Sequence, residues 1–302
     1  MRVREPGKIS NGLWMLGHEE SCVYLVEGHD TAMLINGGMS YLVEDILDQI
    51  QSFGIDESRI QYALILHAHF DHVGIIPFFK RRNPAMEVLA SARGWEILGM
   101  EKAIRTINTF SRNVAEKMGR ADVCERLDLD WRDDIKGTAV AEGDSLDLGG
   151  RKIQILETPG HSSCSITGYV PDLRALFGSD GVGIPYKDTI MASGNSNYTA
   201  YQKSLEKLRG LDVELVCADH YGTVMGDEAR GFIDRSIETA AEHRKLIEAT
   251  YLRTLDEETA ARELVDMIYR ENEDYFLSPE ILEGVYRQMV SHIAGALADK
   301  GA

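Results

Sequence analysis

Short apolar runs separated by polar turns dominate the first part of the chain. Residues 12–16, 22–26 and 31–35 form three such runs, and their spacing predicts three antiparallel strands. Apolar residues then recur at helical spacing over 41–53, and Gly54 follows as a residue suited to end a helix. The pattern therefore predicts a strand meander followed by one helix.

A similar order of elements returns later in the chain. Residues 138–178 alternate strand-like runs with glycine turns, and residues 198–208 show helical spacing. In both 10–95 and 138–226, strands and a helix are combined with strands that end in polar residues. Periodicity alone predicts a mixed protein of strands and helices, and the repeated order fits two similar halves.

Two long helical stretches lie outside this pattern. Residues 92–130 are mostly helical and contain few turn formers. The last 75 residues predict three helices, over 228–251, 257–270 and 279–297, and their aromatic residues Tyr269, Tyr275, Phe276 and Tyr286 are expected in the core. We predict one catalytic unit over 1–226, with a helical insert at about 92–135. A helical extension over 227–302 would pack on the same domain.

The role of the insert is open between two interpretations. It could be a packed excursion whose exposed face supports a homodimer. It could also form a wall of a substrate pocket, since long inserts in compact domains are often functional.

Composition limits the classes of function. The 302 residues are 44% hydrophobic and 27% charged, which is ordinary for a globular protein. The net charge of −17 disfavours nucleic acid, because phosphate backbones are bound by Lys and Arg. The four widely spaced cysteines and the lack of a long apolar run predict buried thiols in a cytoplasmic protein with no membrane contact. A small-molecule substrate is the expected partner.

A cluster of metal-binding residue types follows the apolar run at 62–66. Three of the 9 histidines, His67, His69 and His72, lie within six positions, and Asp71 stands among them. Imidazole and carboxylate groups are the ligands of Zn, Mn and Fe in proteins. The alternative is a solvated loop that is rich in histidine by chance. The position at the end of a buried strand favours a metal site.

Further residues of the same types follow three later strand-like runs. His161 ends Thr-Pro-Gly-His, Asp180 ends Gly-Ser-Asp, and His220 opens His-Tyr-Gly after Asp219. Each lies close to a glycine, which lets the backbone bend sharply near a metal. The sequence therefore predicts that four strand ends contribute to one site.

The motifs H-x-H-x-D-H, T-P-G-H, G-S-D and D-H-Y-G, in this order, resemble the metallo-β-lactamase fold superfamily over roughly residues 10–225. The resemblance, closest to a glyoxalase II-like core, implies an α+β fold in which a four-layer αββα sandwich places the site at the seam of its halves. It implies one metal site of His67, His69 and His161, a second of Asp71, His72 and His220, and Asp180 between them. One departure is Asn36, where the family commonly has an aspartate that supports the site.

The helical insert and tail resemble one branch of the superfamily in layout. That branch contains the quinolone-signal response protein PqsE, a thioesterase-like member whose C-terminal helices partly cover the site. The resemblance outside the metal motifs is one of architecture only.

Two divalent metal ions, with Zn favoured and Fe or Mn also suited, make hydrolysis the expected reaction. A hydroxide that bridges the metals would attack an ester, thioester or lactone carbonyl of a small molecule. We expect Asp71 or His220 to pass a proton to the leaving group, and Tyr221 to donate a hydrogen bond. Tyr186, Lys187 and Tyr198 are candidate substrate contacts, because the loop 183–199 follows Asp180.

Two other functions are compatible with the same motifs. An iron-dependent enzyme of sulfur or oxygen redox chemistry would use the three-histidine site alone, and a regulatory binding protein of the PqsE type would act through a partner. The complete second set of ligands argues against both.

Overall fold

The computed structural model describes residues 1–272, 275 and 277–301, and these residues form two seven-stranded sheets and a small hairpin. The strands are, in chain order, β1 Arg2–Val3, β2 Gly7–Ser10, β3 Leu13–His18, β4 Ser21–Glu27, β5 Ala32–Ile35, β6 Ile60–Leu64, β7 Glu87–Ser91, β8 Thr138–Val140, β9 Ser145–Asp147, β10 Lys152–Glu157, β11 Ile166–Val170, β12 Ala175–Phe177, β13 Ile184–Tyr186, β14 Thr189–Met191, β15 Leu215–Cys217 and β16 Thr223–Met225.

Each large sheet combines antiparallel and parallel pairs. The first has the order β2-β3-β4-β5-β6-β7-β8, antiparallel as far as β5 and parallel from β5 to β8. The second has the order β1-β16-β15-β12-β11-β10-β9, in which the β12–β15 pair is parallel. Strands β13 and β14 pair separately as a hairpin.

Helices cover the outer face of both sheets. They are α1 Val43–Ser52, α2 Ile76–Arg82, α3 Ala92–Leu98, α4 Glu101–Lys117, α5 Ala121–Arg126, α6 Tyr198–Leu208, α7 Asp227–Arg230, α8 Phe232–Thr254, α9 Glu257–Glu271 and α10 Pro279–Gly301. The first five pack on the first sheet and the last five on the second. The predicted α+β sandwich of layers αββα, with a helical insert and C-terminal helices, is confirmed.

Strand β4 shows why the sheets are apolar on both faces. Val23 and Leu25 pack against the helices of the first half, whereas Cys22, Tyr24 and Val26 belong to the core between the two sheets. Because adjacent strand residues point to opposite faces, both sets can be buried only in a layered sandwich.

The C-terminal helices differ in one respect from the predicted ones. The helix expected from Glu228 is split at Gly231, so that the short α7 precedes the long α8. Tyr275 and Tyr286 are buried as expected, and Phe276 lies outside the described residues. The division at 226–227 and the membership of both parts in one domain stay predictions. Among the helices of the described ranges, none is long and apolar enough to cross a membrane.

Candidate metal centre

The side chains of the seven predicted ligands converge from four separate strand ends. They follow β6, β10, β12 and β15, and three groups place their ligand atoms within 4.8 Å of one another. The groups are His67 with His69 and His161, Asp71 with His72 and His220, and His67 with His72 and Asp180. The first two groups coincide with the two predicted sites, and the third places Asp180 between them. Their function as metal ligands stays a prediction.

Burial separates the site from bulk water on most sides. His72 is completely buried, and His67, His161 and His220 are nearly so, whereas the half-buried His69 is the most exposed of these five histidines. Charged or polar groups at such depth need a compensating partner. The exposed edge at His69 marks the side from which solvent reaches the site.

Two imidazole nitrogens in the centre fit a cation. The Nε2 atoms of His67 and His72 are buried and have no hydrogen-bond partner within the described part of the chain. His72 Nε2 lies 3.5 Å from an oxygen of Asp71 and 3.5 Å from an oxygen of Asp180. Buried imidazole lone pairs that face two carboxylates form the donor set that divalent metals bind.

The outer ring nitrogens of the other ligands are held by hydrogen bonds. Nδ1 of His161 lies 2.9 Å from the Ser193 carbonyl oxygen and 2.8 Å from its hydroxyl. Nδ1 of His220 lies 2.6 Å from the Glu20 carbonyl oxygen. A carbonyl oxygen can only accept, so Nδ1 carries the proton and Nε2 is the nitrogen that serves the site.

Asn36 supports the centre despite its departure from the family pattern. It adopts a left-handed backbone conformation with φ 60°, which asparagine tolerates better than most residues. Its Oδ1 accepts a hydrogen bond of 2.8 Å from the Leu66 amide, and its Nδ2 donates to Asp219 and to Ser179. The backbone before His67 is therefore anchored by this side chain.

Electrostatics favour metal-binding protonation states at His67, His69 and Asp71. Burial, reinforced by the neighbouring histidines, lowers the pKa of His69 to about 4 and that of His67 well below its usual value. Burial alone would raise the pKa of Asp71, but the adjacent His72 and His220 outweigh it and lower that pKa to about 2. Neutral imidazole and ionised carboxylate are the forms that coordinate metals. Burial alone would also lower the pKa of His72, but the carboxylates of Asp71 and Asp180 outweigh it and raise that pKa well above its usual value, so a cation would have to displace this proton.

The sequence model of the metallo-β-lactamase superfamily matches residues 17–220. The chain belongs to this superfamily. It is 25% identical over 210 residues to a metallo-β-lactamase fold-containing protein of Sulfurisphaera tokodaii, covering 68% of this chain and 74% of the relative. It is 27% identical over 229 residues to the acyl-coenzyme A thioesterase MBLAC2 of Homo sapiens, and this match covers 74% of this chain and 76% of the relative. A solved metallo-β-lactamase family protein of Thermus thermophilus has the same fold, with a TM-score of 0.67 and 18% sequence identity. The match covers 98% of this chain and 96% of that protein.

Of the three predicted substrate contacts, Tyr186 and Lys187 lie near Tyr221, whereas Tyr198 is enclosed by another helix. The buried ring of Tyr186 is 5.0 Å from the ring of Tyr221, beside His220, and Lys187 lies 4.9 Å from the Tyr186 ring centroid. Tyr198 is completely buried, and its hydroxyl contacts the Ala240 carbonyl oxygen and His243. The prediction for Tyr198 is therefore corrected: this side chain is enclosed by α8 and cannot reach a substrate.

Three residues near the centre were not predicted. The ring of Tyr275 lies 5.3 Å from that of Tyr186, and the ring of Phe110 lies 5.4 Å from that of Phe70. Both contacts depend on how distant helices dock, which no local pattern encodes. Asp219 contacts His72 from outside the predicted ligand set. Its position before His220, as a polar residue at a strand end, was the available indication.

Proposed function

We propose that this protein is a dinuclear metal-dependent hydrolase of a small-molecule ester, thioester or lactone, with thioesters as the first class to test. The observation that carries the proposal is the convergence of two complete ligand groups around Asp180. A relative named as an acyl-coenzyme A thioesterase supports the choice of thioesters.

Seven residues would hold two divalent ions: His67, His69, Asp71, His72, His161, Asp180 and His220. Zinc suits a site of four or more imidazoles and carboxylates, and iron or manganese suits it as well. Such ions would supply a water of near-neutral pKa and would polarise the substrate carbonyl.

The protein's own groups would then orient the substrate and move the proton. An oxygen of Asp71 lies 3.6 Å from His220 Nε2, and the carboxyl is ionised well below neutral pH. We assign to Asp71, beside His220, the uptake of the proton that the attacking water would release and its delivery to the leaving group. Tyr221 would donate a hydrogen bond to the substrate, and its ring lies 5.0 Å from that of the buried Tyr186.

The aromatic residues beside the centre suggest an apolar part of the substrate. Tyr186 packs between Tyr221 and Tyr275, so three rings lie close together. Burial, followed by the neighbouring Tyr221 and the charge of Asp180, raises the pKa of Tyr275. Such rings contact apolar groups and exclude water from the reacting carbonyl. An acyl group of apolar or aromatic character would be accommodated against them.

We also propose what kind of partner the protein binds, from its net charge. The net charge of −17 argues for a small molecule and against nucleic acid or anionic membrane surfaces. A cytoplasmic location and a homodimer stay predictions.

The test is a panel of matched esters, thioesters and lactones that share one acyl group, assayed with protein loaded with zinc, manganese or iron. We expect one class to be hydrolysed, with the activity lost in Asp71→Asn. Turnover that requires iron and consumes oxygen would favour the redox alternative. If protein that is fully loaded with metal turns over no substrate, the result would favour the regulatory binding protein.

A further inference from the structure

Asp219 is a buried carboxylate at the back of the metal centre. It is 3% exposed, follows β15 by two residues and directly precedes His220. Its Oδ2 lies 2.8 Å from Nδ1 of His72 and accepts hydrogen bonds from Asn36 Nδ2 and the Ser179 hydroxyl. Three strand ends, those of β5, β12 and β15, each contribute one polar side chain to this contact.

We propose that Asp219 is the positioning residue of the centre and that it sets the tautomers of both His67 and His72. This inference rests on the proposed function, because the two histidines belong to its metal sites. It adds a residue that is not itself among the metal ligands.

The contact with His72 is direct. A carboxylate only accepts hydrogen bonds, so the 2.8 Å contact requires the proton to be on Nδ1 of His72. The Nε2 atom then faces Asp71 and Asp180 at 3.5 Å. Outer carboxylates that fix a ligand histidine in this way raise its basicity and metal affinity.

The contact with His67 passes through Ser179. The hydroxyl of Ser179 donates its one proton to Asp219, which leaves its oxygen to accept from Nδ1 of His67 at 3.2 Å. That arrangement leaves Nε2 of His67 without a proton. The Nε2 atoms of both histidines are buried and lack a hydrogen-bond partner among the residues described, as the inference requires.

The pairing with Asp219 also explains the amide at position 36. Asn36 Nδ2 donates to the same Oδ2 atom that receives the proton of His72. A carboxylate at position 36 would place two oxygens that only accept hydrogen bonds against each other in a buried place, with no donor between them. Asn36 and Asp219 therefore form a matched pair of donor and acceptor.

If the role of Asp219 were purely structural, its replacement would lower the stability of the metal-free protein and leave the zinc affinity unchanged. Variants and a control separate this case from the proposed one. Asp219→Asn keeps the shape of the side chain and removes its charge, and Ser179→Ala removes the link to His67. Ser236→Ala serves as the control, because within the described residues its buried hydroxyl bonds only to the Phe232 carbonyl oxygen in α8.

The experiment is zinc titration of metal-free wild-type and variant proteins against a competing chelator, together with thermal unfolding of the metal-free forms. We expect Asp219→Asn to weaken at least one of the two binding steps by about 10- to 100-fold. Ser179→Ala should weaken a step as well, and Ser236→Ala neither. The metal-free melting temperature of Asp219→Asn should differ little from that of the wild type.

The double variant Asn36→Asp/Asp219→Asn separates charge from hydrogen bonding. It restores the net charge, but the one atom of residue 219 that faces both partners would have to donate to the carboxylate at 36, so it could not also accept from His72. We expect no rescue of zinc affinity, and full rescue would overturn the assigned role.

Unchanged zinc affinity in Asp219→Asn would also overturn the inference, and the proposed function would stand. A large fall in the stability of metal-free Asp219→Asn, with normal zinc affinity, would overturn the inference as well. A wild-type protein that binds no metal would overturn the proposed function, and the inference with it.

Discussion

The ring of Phe110 in the helical insert lies 5.4 Å from the ring of Phe70, which directly follows His69. The two planes are tilted by 31°, a geometry that favours aromatic contact. The insert is thus packed on the loop that carries the first candidate ligands. The choice between a packed excursion with a dimer face and a wall of a substrate pocket stays a prediction.

Replacing Phe110 by alanine tests the link between the insert and this loop. The side chain is partly buried, so we expect the free energy of unfolding to fall by about 1–2 kcal/mol, less than for a fully buried ring. Because Phe70 adjoins His69, the variant should also release metal to a chelator faster. Phe53→Ala is the control, since Phe53 stacks on Trp14 at 5.7 Å, away from the candidate ligands. Equal metal release from both variants would contradict the link.

Asp71→Asn should abolish the chemistry without unfolding the protein. The amide keeps the volume but loses the charge, which is needed both for a ligand and for proton transfer. We expect turnover to fall by at least about 100-fold and bound metal to drop below two equivalents. Asp188→Asn, an exposed carboxylate of the nearby hairpin, should retain both properties. Activity retained in Asp71→Asn would disprove the assigned role.

Removal of metal should destabilise the protein. A ligand that binds only the folded state adds about 2.7 kcal/mol when its concentration is 100 times its Kd. For a chain of this size, that corresponds to a fall of roughly 5 °C in Tm on chelation. The comparison is made by thermal unfolding with and without chelator. A His67→Ala variant should respond much less, and an equal response would place the metal elsewhere.

His243 predicts a pH dependence of stability that does not involve the metal centre. It is half-buried between Tyr198 and Tyr286, whose hydroxyls lie 3.0 and 2.8 Å from its ring nitrogens. Burial lowers its pKa to about 4. Below pH 6.5 the unfolded chain takes up a proton that the folded protein still refuses, so stability falls as pH falls from 6.5 to 4.

The effect is measured by urea unfolding at pH 7 and pH 5 in wild type and His243→Gln. The wild type should lose about 2 kcal/mol more than the variant over this interval. The other histidines are common to both proteins, so the difference isolates His243. Equal losses in the two proteins would show that this ring is protonated when folded.

The candidate ligands could be predicted because they are encoded locally. His67 to His72, His161, Asp180 and His220 each follow an apolar run that forms a strand, and the ends of such strands meet in an αββα sandwich. Neither the run nor the motif depends on a distant part of the chain. The runs by themselves predicted only a mixed protein of strands and helices, and the four-layer sandwich was implied by the resemblance.

What escaped prediction depends on the docking of distant elements. Tyr198 begins α6 beside the loop after Asp180, but α8 and α10 enclose it through His243 and Tyr286. Asp219 and His220 are adjacent, and neighbouring residues at a strand end point to opposite sides. Only the structure shows that Asp219 points to His72. These contacts are tertiary and leave no periodic trace in the sequence.

The measurement that tests the central claim most directly is elemental analysis of the purified protein, without added metal. We expect about two equivalents of zinc, iron or manganese per chain, held by the two groups around Asp180. A single equivalent of iron would move the assignment to oxygen chemistry at His67, His69 and His161. A protein that contains no metal and takes up none on soaking would contradict the account.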